Sequence, residues 1–97
     1  MRPSEILPQH RDAIRQLVLQ AGMANPRVFG SVVRGEDREG SDLDILVDFE
    51  TGPTFDSFMG LKFFLEDHLG RKVDLVTPDA LKPRMRPVVE REAVDVA

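Results

Sequence analysis

The feature that most constrains this chain is a Gly-Ser pair followed, after a spacer of ten residues, by two aspartates that open an apolar strand pattern. The pair is Gly30-Ser31, and the aspartates are Asp42 and Asp44. Because side chains on a strand alternate between its two faces, Asp42 and Asp44 point to the same side, roughly 7 Å apart along the chain. The segment from Asp42 to Phe49 therefore predicts a strand with one apolar face and one face that carries carboxylates.

This arrangement also predicts a chemistry. Two carboxylates that converge on an exposed sheet face suit a divalent cation such as Mg²⁺, which prefers oxygen ligands. The turn at Gly30-Ser31 offers free backbone N–H groups, which are good donors to phosphate. Both features together favour a nucleotide bound with its metal ion.

Composition narrows the class of protein. For 97 residues we expect one domain with a single core, over residues 1–97. The hydrophobic content of 41% and the charged content of 31% are typical of a soluble globular protein. No apolar run could span a membrane, no signal peptide is recognisable and cysteine is absent, so we expect a cytoplasmic protein without disulfides. The net charge of −4 disfavours direct binding to nucleic acid.

The first part of the chain predicts a helix, a short strand and a helical turn. Pro8 fits the first position of a helix that stops at Gly22. Asn25-Pro26 predicts a turn, and Arg27 to Phe29 predicts a strand. Ser31 to Gly35 fits one helical turn with Ser31 as its N-cap.

The second part predicts a helix, a strand and a helical tail. The boundaries are a break at Thr51-Gly52-Pro53, a cap at Thr54, a helix from about Phe55 to Leu69 with a stop at Gly70, a strand from Arg71 to Thr77 closed by Pro78, and a helix from about Pro83 to Ala93. Strands that alternate with helices predict an α/β fold, a small mixed β-sheet with helices packed on one face. We expect the face with Leu43, Ile45 and Val47 to be covered and the aspartate face to be open to solvent.

Asp74 interrupts the apolar pattern of the third predicted strand. Val73 and Leu75 share one face of that strand, so Asp74 points to the other. If the apolar side packs inward, Asp74 joins Asp42 and Asp44 on the open face. Three carboxylates there repel one another unless a cation lies between them.

Together these residues resemble the signature of the polymerase-β-like nucleotidyltransferase superfamily, which is Gly-Ser, a spacer, Asp-x-Asp and a third carboxylate on a later strand. The segments 29–36 and 41–47 more narrowly resemble the minimal nucleotidyltransferases (MNT), the antitoxin half of HEPN–MNT toxin–antitoxin pairs. The resemblance covers nearly the whole chain. It implies a polymerase-β palm-like fold.

The resemblance also implies a reaction and a set of site residues. The reaction is transfer of AMP from ATP, or from another nucleoside triphosphate, to a tyrosine hydroxyl of a HEPN toxin, with two Mg²⁺ ions as cofactors. Asp74 would complete the second metal site and act as base toward the attacking hydroxyl. The implied nucleotide-binding residues are Gly30, Ser31 and Arg34, and the implied catalytic and metal-binding residues are Asp42, Asp44 and Asp74.

Plainer roles are possible for each of these residues. The aspartate pair could be charges on a solvent-facing strand edge, and Gly30-Ser31 could be only a turn and helix cap. Asp74 could form a salt bridge with Lys72 or Arg71. The alternative partners of Arg34 are Glu36, Asp37 and Glu39. Asp48 shares the aspartate face but lies further along the strand, where we expect it to be solvated.

Two other functions stay open. The chain could be a non-catalytic antitoxin that neutralises its partner by binding, or it could transfer nucleotides to a small molecule. The carboxylate triad argues against the first. The second is disfavoured because larger members of the superfamily cover the nucleotide with a helical domain, for which 97 residues leave no room. We therefore expect another protein, or a second subunit in an oligomer, to bring the acceptor.

Overall fold

The computed structural model describes residues 2–49 and 55–96. Within this part of the chain the strands are β1 (Met23–Phe29), β2 (Leu43–Phe49), β3 (Val73–Val76) and β4 (Val94–Asp95). The helices are α1 (Pro3–Gln20), α2 (Ser31–Arg34), α3 (Phe55–Leu69) and α4 (Arg86–Glu92), with a 3₁₀ helix at Pro78–Ala80. None of these described helices is long and apolar enough to cross a lipid bilayer.

The strands form one mixed sheet in the order β3-β2-β1-β4. β1 runs antiparallel to β2 and to β4, whereas β2 and β3 are parallel. A parallel pair needs a crossover connection, and the segment that contains α3 provides it. The predicted fold class, a small mixed sheet with helices, is therefore confirmed.

The main core lies between the sheet and the two long helices. Leu43, Ile45 and Val47 on β2 are fully buried against Ile14 and Val18 of α1 and Leu61 and Leu65 of α3. The alternation predicted for β2 thus places its apolar face under α1 and α3. The opposite face carries the side chains of Asp44 and Leu46.

The aspartate face is less open than the sequence predicts. Leu46 is fully buried on this face, and Val89 of α4 is buried as well, although neither belongs to the main core. The 3₁₀ helix contacts β2, and Glu92 at the end of α4 contacts Gly30. The C-terminal segment therefore covers part of this face, and solvent reaches it mainly at Asp42 and Asp74.

The predicted start of α1 at Pro8 is wrong, because α1 begins at Pro3 and Pro8 lies inside it. The first turn, which lies upstream of Pro8, is stabilised by two hydrogen bonds. The Arg2 backbone N–H donates to the Glu5 carboxylate at 3.0 Å, and the Ser4 backbone N–H donates to the Asp37 carboxylate at 2.9 Å. These bonds satisfy donors that have no partner within the helix. The predicted stop is confirmed, since Gly22 follows the helix with a φ of +80°.

The predicted turn at Asn25-Pro26 is wrong as well, because both residues lie within β1. The pairing of β1 with β2 shifts register between Ala24 and Arg27, and Asn25 has a φ of +53°. The signal that predicted a turn is therefore a bulge inside a longer strand.

Other boundaries differ by a few residues. Gly30 rather than Ser31 is the N-cap of α2, Asp42 immediately precedes β2, and β4 was not predicted. The tail helix is shorter than the predicted Pro83 to Ala93. The helix from Phe55 to Leu69 is confirmed, with Gly70 after it at a φ of +67°. The predicted break at Thr51-Gly52-Pro53 and cap at Thr54 lie outside the described residues.

Candidate active site

The three predicted carboxylates come together where the neighbouring strands β2 and β3 begin. Asp44 on β2 lies directly opposite Asp74 on the parallel strand β3. Asp44 is half-buried, whereas Asp42 and Asp74 are exposed. Burial and the negative charges of Asp74 and Asp42 raise the pKa of Asp44 to about 6, and a hydrogen bond with Asp74 adds to the shift.

This donor set fits Mg²⁺. Mg²⁺ prefers carboxylate oxygens, keeps several of its waters and binds through one or two carboxylates together with substrate phosphates rather than in a closed protein cage. In residues 2–49 and 55–96, no group of three His, Cys, Asp or Glu side chains is placed so that it could hold a metal ion by itself, so substrate phosphates would have to complete the site. The negative charges of Asp74 and Asp42 contribute to the raised pKa of Asp44, and a bound cation would relieve this repulsion.

Gly30 links the Gly-Ser turn to the aspartates. Its φ of +77° and ψ of −147° belong to a backbone region that is essentially restricted to glycine. A Cβ atom at this position would overlap Oδ2 of Asp44. Residue 30 must therefore be glycine for the turn to lie directly beside the carboxylate.

The groups predicted to bind phosphate hold a carboxylate in this structure. The backbone N–H of Gly30 donates to Oε1 of Glu92 at 2.7 Å. The Arg34 guanidinium donates to both Glu92 oxygens, at 3.0 and 3.2 Å. Ser31 is partly buried beside them as the first residue of α2. The Gly30 N–H and Arg34 thus form an anion-binding cradle, a name we use for these two groups below.

Arg34 has one of the alternative partners that the sequence allows. Its Nε lies 3.4 Å from Glu36, but its shorter contact is with Glu92, which lies 58 residues away. Sequence spacing contains no signal for this contact, because α4 meets α2 only in the folded chain.

Asp37 is a further residue of structural importance that the sequence does not single out. It is 4% exposed, and its carboxylate accepts a hydrogen bond from the Ser4 backbone N–H. Burial acts to raise the pKa of Asp37, but hydrogen bonds from the backbone and side chain of Ser4 lower it overall. The loop that leads to Asp42 is also held by Arg71, whose Nη1 donates to the carbonyl oxygen of Ser41 at 3.4 Å.

Asp48 does not join the site. Its carboxylate accepts from Arg27 at 2.6 Å and from the Asn25 side chain at 3.0 Å. The prediction that Asp48 is solvated is wrong, because Asp48 is partly buried and paired.

The fold and the site define a class of protein. Residues 7–96 match the model of the nucleotidyltransferase domain family, and the chain belongs to this family. It is a nucleotidyltransferase by this match, in agreement with the Gly-Ser and Asp-x-Asp signature.

Two known proteins show which members of this family the chain is similar to. The chain is 45% identical to "Protein adenylyltransferase MntA" of Thermococcus cleftensis, over 94% of this chain and 89% of that protein. A solved structure described as a proposed minimal nucleotidyltransferase is 48% identical, with a TM-score of 0.84, over 94% of this chain and 93% of that one.

A more distant match shares the fold alone. A solved complex of the tri-AMPylated Shewanella oneidensis HEPN toxin with its MNT antitoxin contains a chain 19% identical to this one. Its TM-score is 0.68, over 94% of this chain and 71% of that one.

Proposed function

We propose that this chain is an Mg²⁺-dependent protein adenylyltransferase that transfers AMP from ATP to a tyrosine hydroxyl of a HEPN-type toxin, and so acts as its antitoxin. The observation that carries the proposal is the Asp44–Asp74 pair opposite each other on parallel strands, with the Gly30 turn against Asp44. The proposal includes a single catalytic domain over residues 1–97, located in the cytoplasm.

Each site residue has a role in this reaction. Gly30, Ser31 and Arg34 bind the triphosphate and orient its α-phosphorus. Asp42 and Asp44 hold the metal ions, and Asp74 accepts the proton of the acceptor hydroxyl. The hydroxyl oxygen forms a bond to the α-phosphorus while the bond to pyrophosphate breaks. Bound Mg²⁺ supplies charge stabilisation for the oxygens that enter and leave.

The side of the sheet that α1 and α3 cover offers exposed apolar residues for contact with a protein partner. Leu19 on α1 and Phe63 and Phe64 on α3 are more than half exposed, at 66%, 57% and 65%. Phe64 lines a groove of about 600 Å³ between α1 and α3, whereas Leu19 lines a separate pocket together with Asn25 and Pro26. Exposed neighbouring aromatic side chains such as Phe63 and Phe64 are typical of protein-binding surfaces. The name of the Thermococcus relative agrees with this acceptor class.

The test is to co-express the chain with the protein encoded beside it and to measure the intact mass of that neighbour. The control is the same pair with Asp42→Ala and Asp44→Ala. A mass gain of one or more AMP units that the double variant abolishes supports the proposal, and peptide mapping then identifies the modified residue.

Two other outcomes contradict it. A stable complex without any mass gain, formed equally by the wild type and the double variant, favours an antitoxin that acts only by binding. Neither mass gain nor complex favours a small-molecule acceptor.

A further inference from the structure

Glu92 occupies the anion-binding cradle. Its carboxylate accepts hydrogen bonds from the Gly30 N–H and from Arg34, at distances of 2.7 to 3.2 Å. These are charge-assisted hydrogen bonds of the kind that a phosphate oxygen makes with the same donors. The Glu92 side chain is 20% exposed, so the contact lies within the fold.

A phosphate group and Glu92 compete for this position. Both are anions that use the same donors, and two negative charges at contact distance repel each other strongly at a partly buried site. A nucleotide whose phosphate is bound by Gly30 and Arg34 must therefore displace the Glu92 carboxylate.

Displacement of Glu92 requires little change in the backbone. The chain on both sides of Glu92 is held independently, since the Ala93 N–H donates to the Val89 carbonyl and β4 pairs with β1. A rotation of the Glu92 side chain is therefore the movement by which we expect the carboxylate to leave the cradle. Glu92 is also the last residue of α4, where the helix dipole disfavours a negative charge.

We propose that the Glu92 carboxylate competes with the nucleoside triphosphate for the anion-binding cradle. It occupies the cradle in the free protein and leaves it when phosphate binds. This inference rests on the proposed function, because it assigns the cradle to the triphosphate. It makes Glu92 a residue that limits nucleotide affinity. An alternative role, as a purely structural anchor of α4, predicts no gain in affinity when the charge is removed.

The first test compares the binding of ATP with Mg²⁺ to the wild type, Glu92→Gln and Glu90→Gln by calorimetry. Glu90 is the matched control, because it lies on the same helix and pairs with Arg86 at the surface. We expect Glu92→Gln to bind about tenfold more tightly, since its amide keeps the shape of the side chain but loses the charge. Glu90→Gln should bind like the wild type.

A second measurement uses the wild-type protein alone and therefore does not depend on whether a variant folds. In the wild type, inorganic tripolyphosphate should shift the NMR signals of the Gly30 backbone amide and the Arg34 side chain. It should also shift the side-chain signals of Glu92 as the carboxylate leaves. Shifts at Gly30 and Arg34 with none at Glu92 would overturn the inference.

A further variant belongs to the affinity measurement. Glu92→Asp, which keeps the charge on a shorter side chain, should give an affinity for ATP between those of the wild type and Glu92→Gln.

The outcomes separate this inference from the proposed function. If Glu92→Gln binds ATP no more tightly than the wild type while AMP transfer to the neighbour is intact, only the inference fails. If Glu92→Gln binds more tightly but neither protein transfers AMP, only the proposed function fails. If neither protein binds ATP or tripolyphosphate, both fail.

Discussion

Gly30 and Asp44 are in direct contact, so the two halves of the sequence signature form one structural unit. The backbone of Gly30 leaves no room for a Cβ atom beside Oδ2 of Asp44. This contact lies on a turn with a φ of +77°, immediately before α2. The position of the turn that we propose binds phosphate and the position of the carboxylate that we propose binds metal therefore depend on each other.

Replacement of Gly30 by alanine tests this contact. We expect Gly30→Ala to lower AMP transfer about 100-fold or more, because a small displacement of reacting groups has a large effect on rate. The backbone strain should also cost roughly 1–3 kcal/mol of stability. Gly40→Ala is the control, since a Cβ at Gly40 meets nothing within 4 Å. Equal activity of the two variants would contradict the role assigned to Gly30.

The raised pKa of Asp44 predicts how stability depends on pH in the absence of metal. The folded state raises this pKa from 3.8 to about 6, so the folded protein binds more protons than the unfolded chain between these values. The contribution of Asp44 to stability therefore falls as the pH rises from 3.8 through about 6 and is level above that. Asp44→Asn removes this dependence, and should be more stable than the wild type at pH 7.5 by roughly 1 kcal/mol, after allowance for solvent screening of a half-exposed carboxylate.

Thermal unfolding from pH 4.5 to 7.5 with a chelator measures this effect. The advantage of Asp44→Asn should grow across this range, whereas Asp79→Asn, whose side chain is 89% exposed, should follow the wild type. A wild type that gains stability relative to Asp44→Asn as the pH rises would show that the carboxylates do not repel one another.

Asp42 should be required for transfer but not for folding. Asp42→Asn removes a proposed metal ligand from an exposed position, so we expect transfer to be abolished and the melting temperature without metal to be unchanged or raised. Added Mg²⁺ should stabilise the wild type, because a ligand that binds the folded state raises its stability, and should stabilise the variant much less. A collapsed melting temperature for Asp42→Asn would argue against a metal-site role.

Asp37 should matter for stability through its contact with α1. Asp37→Ala leaves the Ser4 N–H without its acceptor at the start of the helix, which should cost about 1–2 kcal/mol. Because the folded state lowers the pKa of Asp37 below 3.8, this contribution is present above that pH and is lost as the pH falls through the folded-state pKa.

Chemical denaturation at neutral and acid pH measures the contribution of Asp37. Asp12→Ala is the control, since Asp12 lies on α1 with a side chain that is 94% exposed. Equal midpoints for Asp37→Ala and Asp12→Ala at neutral pH would show that the Ser4 contact does not stabilise the helix.

The parts of the fold that follow from local pattern were predictable. The apolar face of Leu43, Ile45 and Val47, opposite a face with three aspartates, identified β2. Helical spacing followed by Gly70 identified α3. The start of α1 was not predictable, because the contact of Ser4 with Asp37 that stabilises its first turn joins residues 33 apart in the sequence. The bulge at Asn25 was read as a turn, since the same residue types favour both.

For the site, the sequence alone determined which residues are the candidates for the proposed chemistry. The spacing of Gly30, Asp42 and Asp44 and the polar position of Asp74 in an apolar strand depend on neighbours along the chain and on strand periodicity. Only the tertiary structure decided what these residues touch. The contact of Glu92 with Gly30 joins residues 62 apart, and the burial of Leu46 depends on the C-terminal segment that covers its face. Such contacts arise when distant segments pack together, and no local pattern of residues specifies which side chains will then meet.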